Sequence, residues 1–475
     1  MDELAIKGIE IPTELKQQLT SASAWHYRLL PFEKKEGKMR CFCDEQSEIA
    51  QEEIELLLGL ELELIPVQTG LLEVALHRHF PKGETPSGGA VLEIGSGGFV
   101  EQLLAEAQQL KCSDIHIEVY EHRRRIRFRI DGQLIERYVI ERKDYPALIN
   151  KIKILANLDI SEKRLPQDGR ILFANTGREL DIRVSILPTL NGEKVVMRLL
   201  GGDAAALSLD QLGMKAKELQ NYQLGIRRPT GIILISGPTG SGKTTTLYST
   251  LRELNKVKSN ILTIEDPIEY TLEGINQVQL KESIGLDFPK ALRTFLRQDP
   301  DVIMVGEIRD VDTANMAIRA ALTGHLVFST IHTNSAWGSV SRLADMGVPP
   351  YMIANTLNTS VAQRLVRRLC PHCKQEKPFD EGIYPPGFKP PIKVNQQFEA
   401  VGCDHCFHTG FRGRLAVYEV IPIDGELSEA IHRQDRNVNA LLEEKQIPGL
   451  ALNAFDLFVK GETTIDEIYS LLFSA

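Results

Sequence analysis

The stretch Gly237-Pro-Thr-Gly-Ser-Gly-Lys-Thr-Thr-Thr246 limits what this chain can fold into more than any other. It fits the phosphate-loop pattern G-x-x-x-x-G-K-[ST] with Gly237, Gly242, Lys243 and Thr244, and Pro238, Thr239, Gly240, Ser241 and Thr245 complete the loop. The apolar run Gly231–Ser236 before it has the composition of a buried parallel strand. Thr245 to Asn255 after it reads as a helix with Leu247, Leu251 and Leu254 on one face. A strand, a glycine turn and a helix start make a preformed anion site, with backbone N–H groups and the helix dipole directed at phosphates. Lys243 would reach the β- and γ-phosphates of ATP, and the Thr244 hydroxyl would ligate Mg²⁺. Such a loop needs an α/β sheet behind it. Short apolar runs at 232–236, 261–265, 302–306 and 326–331, separated by helical patterns, supply the parallel strands.

A second group of residues falls where the chemistry would be. Ligands of open α/β sheets bind at the carboxyl ends of the strands. Glu265, Asp266 and Glu269 follow the second run, and a carboxylate there can orient and deprotonate the attacking water. The plainer alternative is a set of surface acids. Val302–Val305 has the form of a Walker-B strand, and the acid at its end is Glu307, while Asp301 precedes it. His332 ends the fourth run and could sense the γ-phosphate; His325 opens that run, with a structural role equally open.

The rest of the chain frames this unit. A length of 475 residues suggests about three domains. Residues 1–82 read as a small α+β domain, with a helix from Ile11, strands at Arg28–Phe32 and Lys38–Phe42 around a turn, a helix at Glu48–Leu58, a strand at Leu62–Val67 and a helix at Leu71–His79. The Trp25-His-Tyr-Arg28 stretch reads as a packed edge more than a binding surface. Residues 83–98, rich in glycine, read as a linker. Residues 99–203 form a second α+β domain, whose strands carry Arg125, Arg127, Arg129, Arg183 and Arg198 on their polar faces. Either that face is a salt-bridged, solvated surface or it is a basic face offered to a phosphate. Residues 204–475 hold the nucleotide domain.

Cysteine usage adds a further element. Cys370-Pro-His-Cys373 and Cys403-Asp-His-Cys406 are two C-x-x-C pairs, which in a reducing compartment favour a metal over disulfides. Four thiolates suit a closed structural Zn²⁺ site, with His372 and His405 as less favoured ligands and four free thiols as the alternative. The insert 370–406 is spanned by the Pro-rich stretch Tyr384–Pro391, which reads as a flexible loop.

No run of ~18 apolar residues is present, and Met1–Lys7 lacks the layout of a signal peptide. The expected location is therefore cytoplasmic, with membrane contact only through partners. The net charge of −9 disfavours a duplex-DNA binder, so no specific nucleic-acid partner is expected.

These boxes, in this order, resemble the type II secretion and type IV pilus assembly ATPases of the secretion-ATPase superfamily. Gly237–Thr246 matches the family's Walker-A box, Ile264–Tyr270 resembles its Asp box, Leu292–Arg309 its Walker-B box and Thr323–Thr333 its His box. Ser113–Glu118, Arg127–Gly132, Leu165–Arg170 and Gly192–Leu199 resemble segments of its second N-terminal domain. The resemblance implies a RecA-like ATPase domain behind a PAS-like α+β domain, assembled as a homo-hexamer. It implies Glu265 as the catalytic base, Glu307 as the Walker-B acid, and Arg183 and Arg198 as phosphate-binding arginines that close onto ATP. It implies a tetracysteine zinc insert, which the pilus-retraction relatives lack. The partners it implies are an inner-membrane platform protein and a membrane-anchored docking protein met by the first domain, which places the chain peripherally at the inner membrane. The rival readings are a DNA-handling ring ATPase, a pilus-retraction motor, and a scaffold that does not hydrolyse ATP; intact Lys243, Thr244, Glu265 and Glu307 weigh against the last.

Overall fold

Gly37, which has a φ of 85°, turns the chain between two antiparallel strands that pair from Leu29 opposite Cys43 to Lys35 opposite Lys38. The computed structural model describes the chain except for residues 1–8, 10, 13, 14, 16, 17, 20, 36, 46–50, 52, 53, 56–58, 81–97, 176, 177, 201–206, 380, 408, 474 and 475. Most of the expected helix at Glu48–Leu58, and all of the expected linker 83–98 but Gly98, lie outside the described residues. Two units are distinguished: Met1–Leu200 with Leu369–Gln375 and Glu399–Arg412, and Gly201–Arg368 with Glu376–Phe398 and Gly413–Ala475.

In the first unit, α1 (Ser21–His26) leads into β1 (Leu29–Lys35), β2 (Lys38–Asp44), β3 (Leu62–Val67) and α2 (Thr69–His79). The strands form one sheet in the order β1-β2-β3, over a core that includes Leu30, Phe42 and Leu72. Trp25 donates its indole N–H to the carbonyl of Phe80, which fits the packed-edge reading of that stretch.

A second core lies under α3 (Phe99–Gln109), β4 (Asp114–Val119), β5 (Arg124–Ile130), β6 (Gln133–Val139), α4 (Tyr145–Leu155), β7 (Gln167–Asn175), β8 (Arg178–Thr189) and β9 (Gly192–Leu200). Their sheet order is β6-β5-β4-β9-β8-β7. Asp131 and Gly132 both have positive φ, as a type I′ hairpin between β5 and β6 requires. Ile115, Ile117, Ile126, Phe128, Ile182 and Val195 point to the two helices, which leaves the arginines on the other face.

The second unit is built on α5 (Ala216–Ile226), β10 (Gly231–Ser236), α6 (Lys243–Leu254), β11 (Ile261–Glu265), β12 (Asn276–Gln279), α7 (Phe288–Phe295), β13 (Val302–Val305), α8 (Val311–Leu322), β14 (Leu326–Ile331), α9 (Gly338–Asp345), α10 (Pro350–Thr356) and β15 (Leu357–Leu369). After the short strands β16 (Gln375–Pro378) and β17 (Gln396–Glu399) come β18 (Phe411–Pro422) and α11 (Gly425–His432), α12 (Asn439–Glu444), α13 (Leu450–Val459) and α14 (Ile465–Leu472). The seven-stranded sheet runs β12-β11-β13-β14-β10-β15-β18, and β12, β11, β13, β14, β10 and β15 pair in parallel.

Alternation explains why these strands read as continuous apolar runs. Ile233 and Ile235 enter a core with Tyr222, Leu247 and Leu251, whereas Ile232 and Leu234 enter one with Leu292, Ala317 and Ile318. Both faces are covered, as parallel sheets require. Truncating a residue such as Ile235 to Ala would cost about 2–5 kcal/mol. The four strands expected at 232–236, 261–265, 302–306 and 326–331 are present to within a residue or so. β15 was not expected: Asn358, Thr359, Ser360 and Gln363 are all buried in it, so its sequence carries no apolar pattern.

Candidate active site

Every residue of β10 is buried, so the loop after it starts from a fixed point. Gly237 has a φ of 149°, and a Cβ there would stand 2.5 Å from the carbonyl oxygen of Gln363 and 2.6 Å from the Ser241 hydroxyl. Gly242, with φ of 89°, would press a Cβ to within 2.7 Å of the Gln363 amide nitrogen. Two of the motif's glycines are thus required by the close approach of β15. Helix α6 begins directly after Gly242, and no side chain caps it. Its first N–H groups are therefore available to an anion.

Lys243 donates from Nζ to the carbonyls of Gly237 at 2.8 Å and Pro238 at 3.0 Å. Burial holds its ammonium below the usual range, an effect opposed by Glu307 and reinforced by Arg364. Thr244 is exposed beside it, whereas Thr246 points inward and donates to Gln363 Oε1 at 2.9 Å.

The order β11-β13-β14-β10 brings three more chain segments to the same carboxyl edge. Glu307, just past β13, accepts a hydrogen bond from Arg309 and lies 3.5 Å from His332 Nε2. Burial alone would raise its carboxyl. Arg309, then His332 and Lys243, outweigh burial and hold it below its ordinary range. Asp266 stands 3.9 Å from Arg309. Lys243, Glu307 and His332 thus form one electrostatic cluster. His325 is at the opposite end of β14, where its Nδ1 lies 2.9 Å from the carbonyl oxygen of Ala320.

Glu265 has a different setting. It is the last residue of β11, only 3% exposed, and faces α6. Its carboxylate accepts from the Thr263 hydroxyl at 2.6 Å, from Gln277 Nε2 at 3.0 Å and from the Tyr248 hydroxyl.

Arg309 carries a pH prediction. Its guanidinium favours the ionised form of Glu307, so Arg309→Ala should raise the acidic midpoint of the kcat/KM profile. A profile whose acidic limb does not move would assign that limb to another group.

Three residues of the site belong to none of the sequence motifs. Gln363 and Arg364 sit on β15, beside the loop; Arg364 donates to the carbonyls of Gln363 at 3.0 Å and Asn334 at 3.1 Å. That tie joins the segment after His332 to the strand behind the phosphate loop. Tyr248 is on the buried face of α6 and reads from sequence as core.

Arg183 and Arg198 belong to the other unit, where they are direct cross-strand partners on β8 and β9. Arg198 Nε donates to Asp114 at 2.9 Å. Arg125 and Arg127 both bond Glu118, at 2.9 and 2.7 Å, and Arg129 lies 3.6 Å from Asp114. For Arg125, Arg127 and Arg129 the salt-bridged surface is the arrangement observed.

The four cysteines of the two pairs converge at the end of β15 and the start of β18. Their sulfurs all lie within 4.8 Å of one another, and the separations are 3.8 Å for Cys370–Cys403, 3.7 Å for Cys373–Cys406 and 3.8 Å for Cys403–Cys406. Tetrahedral coordination with metal–sulfur bonds of about 2.3 Å gives sulfur–sulfur edges of about 3.8 Å, so the set fits one zinc-sized ion. Burial would raise the Cys406 thiol, but the N–H groups of Cys403 and Gly410, each 3.2 Å from its sulfur, help to bring it down. His372 and His405 stack on each other, ring centroids 4.1 Å apart. The intervening Pro-rich stretch is not a loose spacer: Tyr384 and Phe388 pack against Phe455 of α13, with centroids 6.2 and 5.5 Å away.

Comparison with known proteins identifies the family. The profile of the type II/IV secretion system protein family matches residues 97–470. The type IV pilus assembly ATPase PilB of Myxococcus xanthus is 41% identical over 461 residues, 90% of this chain and 81% of that protein. The type II secretion system ATPase E of Vibrio cholerae is 46% identical over 376 residues, 78% and 74% of the two chains. Among solved structures, the pilus retraction motor PilT with bound ADP superposes with a TM-score of 0.55 at 26% identity, covering 78% of this chain and 95% of that one.

Proposed function

The chain belongs to the type II/IV secretion system protein family and is a P-loop ATPase, and on that premise we propose that it powers assembly of a type IV pilus or a type II secretion pseudopilus. The observation that carries this reading is the meeting of Lys243, Glu307 and His332 at one sheet edge, in a chain 41% identical to a pilus assembly ATPase along most of its length.

In the reaction, a water attacks the γ-phosphorus, the bond to the β,γ-bridging oxygen breaks, and ADP and phosphate leave. The loop 237–245 binds the phosphates through its N–H groups, and Lys243 exchanges its two carbonyl acceptors for phosphate oxygens. Mg²⁺, held by Thr244 with Glu307 accepting from its water shell, would neutralise charge on the phosphates. Glu265 takes the proton of the attacking water once its carboxylate is freed from its internal donors. His332, beside Glu307, reports the γ-phosphate. Arg183 and Arg198 would add positive charge when residues 99–203 close on residues 204–475. Alternate closure around a homo-hexamer would turn hydrolysis into motion of an inner-membrane platform protein, with residues 1–82 docked to a membrane-anchored partner. The chain would then be cytoplasmic and peripheral. Among the described residues no helix is long and apolar enough to cross a membrane.

Cys370, Cys373, Cys403 and Cys406 would hold one structural Zn²⁺. Elemental analysis should find about one zinc per chain, and Cys373→Ser should lower both the zinc content and the melting temperature. A metal-free preparation that melts like the zinc-loaded one would return the cluster to free thiols. Steady-state ATPase assays on the full chain and on Lys243→Ala test the reaction itself.

A further inference from the structure

The hydrogen bonds of Glu265 do not suit a base that is ready to act. The side chain lies on the same face of β11 as Thr263, and that face packs on α6, the helix that starts at the phosphate loop. Each carboxylate oxygen is engaged from within the protein. Oε1 takes the hydroxyl of Thr263 and the amide of Gln277 on β12. Oε2 takes the hydroxyl of Tyr248 on α6. By contrast Glu307, one strand away, lies 3.5 Å from His332 Nε2 and within the electrostatic reach of Lys243.

Tyr248 is itself fixed. Its ring meets Tyr270 edge to face, with centroids 4.5 Å apart, and its oxygen accepts from the Glu269 N–H at 3.3 Å. Burial first, and then the bond to Glu265, keep the phenol protonated and thus a donor. One hydroxyl therefore ties the strand-end acid to the phosphate-loop helix, five residues after Lys243.

We propose that Tyr248 is a positioning residue of the ATPase reaction: its hydroxyl, with Thr263 and Gln277, holds the Glu265 carboxylate turned into the core, and turnover requires that hold to be released. The proposal rests on the reading of Glu265 as the base. Its consequence is directional. A donor that stores the base slows the resting enzyme, so removing the donor speeds it. A residue needed only for packing would act in the opposite sense.

The test compares the full-length wild type with Tyr248→Phe, Glu265→Gln and the double variant, by steady-state ATPase kinetics and thermal melting. Phe keeps the ring and its contact with Tyr270 and removes only the hydroxyl. The expected result is a kcat for Tyr248→Phe about 3- to 10-fold above wild type, with KM for ATP within about twofold. In the Glu265→Gln background the same change should have no effect on kcat, because its action passes through that carboxylate. Thr263→Val, a near-isosteric loss of a second donor, should raise kcat in the same direction and covers the case in which Tyr248→Phe folds poorly. A kcat at or below wild type in both Tyr248→Phe and Thr263→Val overturns the proposal, as does an undiminished effect of Tyr248→Phe beside Glu265→Gln. If Glu265→Gln alone keeps wild-type turnover, the base assignment has failed, and the proposal falls with it for a reason visible in that single variant.

Discussion

Lys243→Ala should lower ATP turnover by about 10²–10³-fold or more while leaving the fold intact. The first part follows from electrostatics. The ammonium is the one cation of the phosphate loop itself, it sits at the start of α6, and charge that grows on the phosphate oxygens would lose its nearest compensating group. The second part follows from its partners. Lys243 bonds only two loop carbonyls at 2.8 and 3.0 Å, and burial already disfavours its charge, so folding gains little from it. The check is turnover together with a melting curve. Near-wild-type turnover would remove the phosphate loop from the reaction. A collapsed melting temperature would show instead that the lysine is structural.

Glu307→Ala should divide binding from chemistry. ATP affinity should stay within about threefold, because the loop amides and Lys243 remain. Hydrolysis should fall by about 10²–10³-fold, because the acid that sits beside His332 and in the field of Lys243 is gone. Little stability should be lost with it. Its ion-pair partner Arg309 is 58% exposed, and a pair of that kind is worth about 0–1 kcal/mol. Binding of a fluorescent ATP analogue beside single-turnover hydrolysis measures both halves. Equal loss of the two would make Glu307 a binding residue rather than a group acting in the chemical step.

The phosphate loop, the four central strands and the helices at Tyr145–Leu155 and Leu71–His79 are legible from sequence because local pattern and tertiary demand agree there. Buried parallel strands such as Ile232–Ser236 need apolar residues on both faces, and their sequence says so. β15 does the opposite. Its buried Asn358, Thr359, Ser360 and Gln363 serve neighbours rather than the core: Asn358 reaches the carbonyl of Thr230, Ser360 that of Ala336, and Gln363 takes Thr246. No periodicity marks such a strand, so nothing in the sequence points to Gln363 and Arg364 although they shape the loop. The placement of Glu307 and His332 followed from strand ends. The orientation of Glu265 could not, because alternation names the face a residue points to but not the donors that await it, and Tyr248 and Gln277 lie in segments that look like ordinary core and edge.

The arginines make the complementary point. Arg125, Arg127 and Arg129 alternate along β5, and Arg183 and Arg198 lie on β8 and β9, which leaves open whether they serve a ligand or neighbouring acids. The cross-strand registers, Glu118 opposite Arg125 and Asp114 opposite Arg129 and Arg198, show which acids these three meet.

The measurement that bears most directly on the central claim is ATP turnover of the purified full chain, alone, with the cytoplasmic part of the membrane platform protein proposed as its partner, and with DNA. Low basal turnover that rises with the platform fragment and ignores DNA is the predicted result. Stimulation by DNA alone, with the platform fragment inert, would contradict the assembly-motor reading while leaving the ATPase site in place.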